Sequence, residues 1–513
     1  MRLPALLLRP KSNTCVEGDD PAGVGSATGV LMFLRYGSAV FFLIIISLSL
    51  MARIPALFVE RLWPDEALYA YIAQQFLNDP QTILRAVTLS GHLPFFPLII
   101  AAGDGLSPGL VGFHMVTILI NLAGLVLVFE LGKRAFGLFS GLLAMLLLAL
   151  NVVYYDHASL ILIDGLLTVC YLLFALALLH IYASNKLKDS KVLGWTILAA
   201  ILVIICKWYA VLFVLPVLGV YFIFGLNGFR FIDRLKALGF TGAAVCLPLV
   251  PFFIFLAFFL KSHGGPGVCF EQSALYYLLN FKILVGGLIV GGFFTAGILF
   301  LPGYPAGIRT LFYGMIAVPL CVMSLTAEKD IRYALPVVPL LAIVSALGIK
   351  KVTGLLVNDP YWRRVLKCFV LVAGLFLFIP FFGYKDASSL STGYTGFLEA
   401  GDWVRKNVSA QDVIFSGSRR QMKYCSGIAF SEDGGRIFPV LMPRDQFHPV
   451  RTANGTAYLV VDRWEFFHQP SWLYPFDAGK RADIEKMGFV LVKQFRNAVW
   501  IFRYAPETRM ERP

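Results

Sequence analysis

Two acidic residues stand side by side in Trp63-Pro64-Asp65-Glu66-Ala67-Leu68-Tyr69, between the first and second long apolar blocks of the chain. Adjacent carboxylates at such a place suit two tasks, taking a proton from a substrate or ligating a divalent metal. A plain helix start explains the same residues: proline fits the first helical position, and acids in the first turn complement the helix dipole. The stretch continues to His92-Leu93-Pro94-Phe95-Phe96-Pro97, an imidazole heading a proline- and aromatic-rich run. A lone histidine there serves either in positioning a ligand or simply in packing.

Asp164 lies at the edge of an apolar block, in Leu160-Ile161-Leu162-Ile163-Asp164-Gly165-Leu166, with no local residue to pair with it. A carboxylate at that depth is costly unless it faces a polar cavity, so function is the default reading. Asp156 and His157 share the preceding short loop and bring three ionisable groups to one surface; a solvated helix cap is the alternative. Lys207 sits between two apolar blocks, and Arg332 follows Glu328-Lys329-Asp330 just ahead of Pro336 and Pro339. Cations kept at the same membrane surface as the acids invite an anionic ligand, and a phosphate head group fits. Snorkelling of the side chains to the interface needs no ligand and explains them as well.

The elements that must carry these residues are membrane helices. Hydrophobic residues make up 58% of the 513 residues, charged ones only 15%, and the mean hydropathy is +0.73. A soluble chain needs roughly a quarter of its residues charged. The apolar blocks reach the ~20 residues that cross a hydrocarbon core. They predict about eleven spanning helices, near 37–57, 110–131, 137–155, 162–183, 192–206, 208–226, 238–260, 280–301, 310–325, 333–349 and 366–383. The fifth and sixth form a tight hairpin around Lys207. Residues 1–30 show neither an h-region nor a small-residue cleavage site, so the first span is expected to act as its own insertion signal.

With the N-terminus in the cytoplasm, eighteen Lys and Arg of residues 1–383 fall in cytoplasmic segments and eight in the opposite-side loops. That asymmetry fixes the orientation and makes the net charge of +13 a topology signal, with no nucleic-acid partner implied. The predicted organisation is a cytoplasmic segment 1–36, a transmembrane domain 37–383 with a long first outer loop 58–109, and an extracytoplasmic domain 384–513. In the last, Val413–Ser416, Tyr458–Asp462, Phe489–Phe495 and Val499–Tyr504 read as strands, Gly396–Asn407 and Ala478–Met487 as helices, and Arg496-Asn497 as a hairpin turn. The fold class is thus polytopic α-helical with a small C-terminal α/β domain. Asn407-Val408-Ser409 and Asn454-Gly455-Thr456 are glycosylation sequons. Most cysteines lie in or beside spans; Cys269 and Cys425 fall outside them, as a disulfide or as two free thiols.

The order and sidedness of these motifs resemble the GT-C glycosyltransferases that use polyprenyl-phosphate sugars, the protein O-mannosyltransferases and the aminoarabinose transferases of lipid A. The resemblance covers roughly residues 35–383. It rests on Asp65-Glu66 in the first outer loop, the run at 92–97, Leu162-Ile163-Asp164-Gly165-Leu166, the Lys207 hairpin and Arg332-Tyr333-Ala334-Leu335-Pro336-Val337-Val338-Pro339. O-mannosyltransferases carry an arginine five positions before the second acid, where this chain has Ser159, and relatives often open the proline run with lysine, where it has His92. No Trp-Trp-Asp-Tyr-Gly run is present, which sets the oligosaccharyltransferase branch aside.

The resemblance implies a donor flipped to the outer leaflet on a dolichyl or undecaprenyl phosphate, and an acceptor hydroxyl on a protein, lipid or glycan. Asp65 would be the general base of an inverting transfer, with Glu66 and Asp164 positioning the base or acceptor and leaving room for a divalent ion between them. Lys207 and Arg332 would bind the donor phosphate, and His92, Asp156 and His157 would help position donor or acceptor. The rival class, a transporter or flippase of a lipid-linked or anionic substrate, favours repeated halves and charges near the bilayer midplane. No repeat is apparent, and the charges gather at one surface.

Overall fold

The computed structural model describes residues 27–58, 62–82, 92–158, 160–263, 273–326, 329–379, 395–428, 437–438, 456–463 and 481–505. The chain forms two compact units, residues 1–44 and 45–513. The first holds the opening part of the helix Ala27–Arg53. All other described elements belong to the second.

This is a polytopic α-helical membrane protein. Among the described residues, six helices are long and apolar enough to cross a bilayer: Leu110–Phe136, Ile163–Ser184, Trp208–Gly225, Phe231–Phe255, Ala306–Leu325 and Val338–Leu356. Shorter apolar helices, Gly37–Arg53, Leu138–Ala149, Ser190–Cys206 and Leu288–Gly303, overlap four more of the expected segments. The helix Pro360–Phe376 overlaps the last. The segment expected as one helix over 137–155 is broken. Asn151 ends it, because its Oδ1 accepts from Tyr154 N at 3.0 Å and its Nδ2 donates to the Leu284 carbonyl at 2.8 Å. Asparagine competes well for such a cap, and a second short helix, Val152–Ala158, starts there.

The expected loop at 58–109 is largely helical. Pro64–Asn78 and Phe95–Ala101 pack on each other, and Tyr69 meets the Phe96 ring edge-on at 5.1 Å. Trp63 is the N-cap of the first of these helices, with Pro64 in its first turn, and its backbone N–H donates to Glu66 Oε2 at 3.0 Å.

Small residues let the spans approach closely. A Cβ on Gly348 would lie 1.9 Å from the Phe293 carbonyl oxygen, and one on Gly297 would lie 2.0 Å from that of Val344. The helices Leu288–Phe300 and Val338–Leu356 therefore cross backbone to backbone, as small residues permit in membranes. The first lies on one side of the Arg332 turn in sequence only; the second begins six residues after it and fixes where that turn sits.

The C-terminal region forms a five-stranded sheet in the order β2-β1-β3-β5-β4, with β1 Val413–Ser416, β2 Ile437–Phe438, β3 Ala457–Asp462, β4 Phe489–Phe495 and β5 Val499–Tyr504. β1 pairs in parallel with β2 and β3, while β5 runs antiparallel to β3 and β4. Phe415, Leu459, Val461, Ile484, Phe489 and Phe502 make its core. Arg496 and Asn497, at φ 47° and 51°, form the expected two-residue hairpin turn, whose left-handed pair matches strand twist. β2 and the helix Arg419–Ser426 were not anticipated. The expected junction at 383–384 and the sequon at Asn454 lie outside the described residues, as does Cys269; Cys425 carries a buried free thiol.

Replacing Gly348 with leucine forces side-chain atoms into the Phe293 backbone. Overpacking of this kind costs about 1–3 kcal/mol. The variant should melt several degrees below the wild type in detergent, whereas leucine at Gly354, where a Cβ meets nothing within 4 Å, should melt as the wild type does.

Candidate active site

Glu66 is the bracket on which the site is hung. It is fully buried. While one carboxylate oxygen closes its own helix start, the other accepts the backbone N–H of Ile161 at 2.8 Å. His114 Nε2 lies 3.9 Å from that same oxygen. Glu66 thereby ties the Pro64–Asn78 helix to residues 160–162, the extended entry of the helix Ile163–Ser184. Asp164, in the first turn of that helix, is set in place as a consequence.

Asp164 has a partner after all, 43 residues away in sequence. Lys207 Nζ bonds its Oδ1 at 2.6 Å, and both side chains are buried, 5% and 2% exposed. The helix Ser190–Cys206 stops at Lys207, whose extended backbone aims the side chain back towards Asp164. The solvated-cap alternative for Asp164 is therefore excluded. Lys207 also lies over the rings of Tyr209 and Tyr333, at 5.6 and 5.0 Å.

Asp65 sits between two arginines. Arg332 Nη1 meets its Oδ2 at 2.7 Å, and Arg420 pairs with its Oδ1. Arg332 is held in turn by Asp330, whose Oδ2 is 3.1 Å from its Nε and whose Oδ1 caps the turn by accepting from Arg332 N at 3.0 Å. Its guanidinium lies 5.3 Å from the centre of the Tyr333 ring, the ring that Lys207 also faces. Tyr333 thus joins the two ion pairs into one cluster.

Burial alone would raise the pKa of Asp65, but Arg332 and Arg420 outweigh it and hold the carboxyl below its ordinary value of 3.8. Burial likewise acts to lower Arg332, yet Asp65, Asp164 and Asp330 overcome it and push the guanidinium up. A depressed acid contributes stability that is present above its unfolded value and lost as pH falls through the folded one. The Asp65 bridge therefore loosens only below about pH 4. His92 is pushed down to about 4 by burial first and Lys207 second, so its imidazole is neutral at neutral pH.

The sequence-derived candidates Asp65, Glu66, Asp164, Lys207, Arg332 and His92 are thus brought to one place. His157 is bound locally, its Nδ1 lying 2.8 Å from the Val153 carbonyl, and Asp156 stands beside it half-buried. Asp330, Tyr333 and Arg420 were not singled out from sequence. Asp330 and Tyr333 flank Arg332, where an acid-cation-aromatic triplet was readable. Arg420 belongs to the C-terminal domain, and only its position in the doublet Arg419-Arg420 after a strand hinted at a role.

The acids do not suit a divalent metal between Glu66 and Asp164. Glu66 is used by two backbone N–H groups and Asp164 by an ammonium, and no group of three His, Cys, Asp or Glu gathers as a ligand set among the described residues.

Removing one member of a buried pair strands the other, at a cost of about 3–5 kcal/mol. Lys207→Met should therefore lower thermal stability in detergent markedly, and adding Asp164→Leu should restore most of the loss. A single variant as stable as the wild type would show that the pair is not desolvated.

No protein-family model matches the chain, and a search of curated proteins finds no match. Solved structures do match. ArnT from Cupriavidus metallidurans in the apo state superposes with a TM-score of 0.62 at 14% identity, over 94% of this chain and 99% of that one. The same protein bound to undecaprenyl phosphate gives 0.59 at 14% identity, over 94% and 98%. The archaeal oligosaccharyltransferase AglB from Archaeoglobus fulgidus, in complex with an inhibitory peptide and a dolichol-phosphate, gives 0.58 at 11% identity, over 94% of this chain and 75% of AglB. These likenesses show that the chain shares its fold with ArnT and AglB.

Proposed function

We propose that the protein is a membrane glycosyltransferase that moves a sugar from a polyprenyl phosphate to an acceptor hydroxyl. The observation that carries the reading is the cluster of Arg332, Arg420 and Lys207 around Asp65 and Asp164, joined through Tyr333. It sits on a fold shared with ArnT, which has been solved with undecaprenyl phosphate, and AglB, solved with dolichol-phosphate. A transporter reading wants charges at mid-span; here Asp164 opens its helix and Lys207 ends the next one.

The chemistry needs one base and good stabilisation of a phosphate leaving group. The acceptor hydroxyl attacks the anomeric carbon and gives its proton to Asp65. The carbon–oxygen bond to the phosphate breaks on the opposite face, inverting the configuration, and the electron pair stays on the phosphate. Lys207 and Arg332 meet that growing charge in surroundings of low dielectric, where donors already in place are most effective. The leaving phosphate needs no general acid, unlike the aglycone of a hydrolase. Glu66 and Asp164 act as positioning groups, and His92, uncharged at neutral pH, helps to position donor or acceptor.

The orientation that the lysine and arginine bias implies puts this cluster and residues 384–513 outside the cytoplasm. Contacts among residues assigned to the cytoplasmic side support their lying at one common end of the molecule. Lys350 Nζ bonds the Phe136 carbonyl at 2.8 Å, beside Lys133 and Arg134, and Lys188 lies 3.4 Å from Asp233, beside Arg230. A reporter fused after residue 190 should read as cytoplasmic and one after residue 400 as external. Two fusions on the same side would refute the orientation.

Asp65→Asn keeps the shape and removes the proton acceptor, so turnover should fall by ~10²–10⁴. Mass spectrometry of envelope glycans and lipids in cells lacking the gene, carrying it, or carrying the variant reads this directly. A product that disappears with the gene and returns in full with Asp65→Asn would remove Asp65 from the role.

A further inference from the structure

The pairing of Asp65 raises a difficulty for any base. Both of its carboxylate oxygens accept charged hydrogen bonds, one from each arginine. Each oxygen keeps a second lone-pair site, but an acid so held has little affinity for a proton. Drawing off one partner raises that affinity, and the two partners are unequal. Arg332 is 14% exposed, anchored by Asp330 on its own turn and backed by Tyr333. Arg420 is 45% exposed, and Asp65 is its one ion partner among the described residues.

The base of Arg420 is nonetheless firmly placed. Its helix, Arg419–Ser426, starts at Ser418, which is bonded to Asp462 at the end of β3. The helix packs against Pro64–Asn78, and Tyr71 Oη donates to the Ile428 carbonyl at 2.7 Å just beyond it. A flexible cation thus projects from a fixed support towards a site that already holds Arg332 and Lys207.

We propose that Arg420 is a cation shared between the base and the donor: it caps Asp65 Oδ1 until the donor phosphate draws it off, so that the base is uncovered only beside a bound donor. The inference rests on the transferase reading and assigns the C-terminal domain a residue of the donor site. On donor binding, Arg420 exchanges one monoanion for another, whose charge grows towards two as the sugar–phosphate bond breaks, while Arg332 keeps Oδ2 and with it the carboxylate's orientation. The freed Oδ1 then takes the acceptor proton as the new glycosidic bond forms. The sugar–phosphate bond breaks, and its electron pair goes to the phosphate that Arg420 now contacts. Acceptor activation without a donor is suppressed by the same contact.

The test is a double-mutant cycle on affinity for undecaprenyl phosphate, measured with the full-length protein in detergent. Arg420→Met should weaken binding about tenfold or more, the effect of one lost charge-assisted hydrogen bond. Arg420→Lys should recover part of it. Asp65→Asn should tighten binding several-fold, because it releases both arginines to the phosphate, and Arg420→Met added to it should abolish that gain. A packing role for Arg420 would cost the same factor in the wild-type and Asp65→Asn backgrounds, whereas a shared cation costs more in the second. Wild-type affinity for Arg420→Met in both backgrounds, with Lys207→Met still weakened, would overturn the shared-cation proposal and leave the transferase reading standing. Wild-type affinity for Lys207→Met, Arg332→Met and Arg420→Met alike would remove the phosphate site itself. Should Arg420→Met fail to fold, Arg420→Lys and Arg420→Gln carry the same comparison.

Discussion

Ionised groups placed among apolar helices have to neutralise one another, and that constraint organises the functional end of this molecule. Water offers an isolated carboxylate far more than a hydrocarbon-like interior does, so a buried charge survives only with a well-placed partner. Lys207 and Asp164 meet that demand at 2.6 Å, and Asp65 meets it through two arginines. The partners come from distant parts of the chain. Their pairing therefore fixes how the end of one helix, the start of another, a 3-10 turn and a domain outside the spans sit together. The same low dielectric that makes the pairs obligatory makes their charges effective towards a phosphate, so stability and function draw on one set of residues.

Neighbouring residues in the chain can have opposite duties. Asp65 and Glu66 are both in the first turn of one helix, yet about 100° of helical rotation separates them. Glu66 turns inward, accepts from two backbone N–H groups with His114 beside one of its oxygens, and sets the spacing between two helix starts. Asp65 turns towards arginines and remains partly exposed. A helix start and a reactive carboxylate, weighed as alternatives for this pair, coexist: the cap is Glu66 and the candidate base is Asp65. Proline at position 64 serves both, since it fixes where the helix begins and so which acid faces which way.

How much could be read from sequence follows the range of the forces involved. Spans were legible because the bilayer imposes a length of apolar residues that no other constraint imitates; the strands of the C-terminal sheet and the Arg496-Asn497 turn were legible through local periodicity and turn chemistry. The interruption at Asn151 was missed, because a cap within an apolar run depends on a carbonyl 133 residues away, at Leu284. Asp164, Lys207, Asp65 and Arg332 were noticed as charges out of place, but sequence could not pair them. It assigned Lys207 to a phosphate with no view of Asp164, and left Arg420 unread because an exposed arginine in a soluble domain is not out of place at all. Misplacement in an apolar setting is visible in a sequence. Pairing is a property of the fold.

The same reasoning accounts for a fold shared at 11–14% identity with no family model matching. A lipid-facing position asks only for an apolar side chain of tolerable size, so leucine, isoleucine, valine and phenylalanine exchange there with little cost. Even interior crossings, such as Gly297 and Gly348 between two spans, demand smallness and not a particular residue. Sequence likeness is thus diluted over most of the length without strain on the architecture. Chemistry constrains far fewer positions: a carboxylate at a helix start, a cation at a helix end, a guanidinium on a turn that follows an acid. Those few residues are too scattered to register in a comparison of whole sequences, yet each is fixed by the need to neutralise another. In this chain the carboxylate's second guanidinium comes from the C-terminal domain, and the transmembrane part alone would present Asp65 with one oxygen already bare.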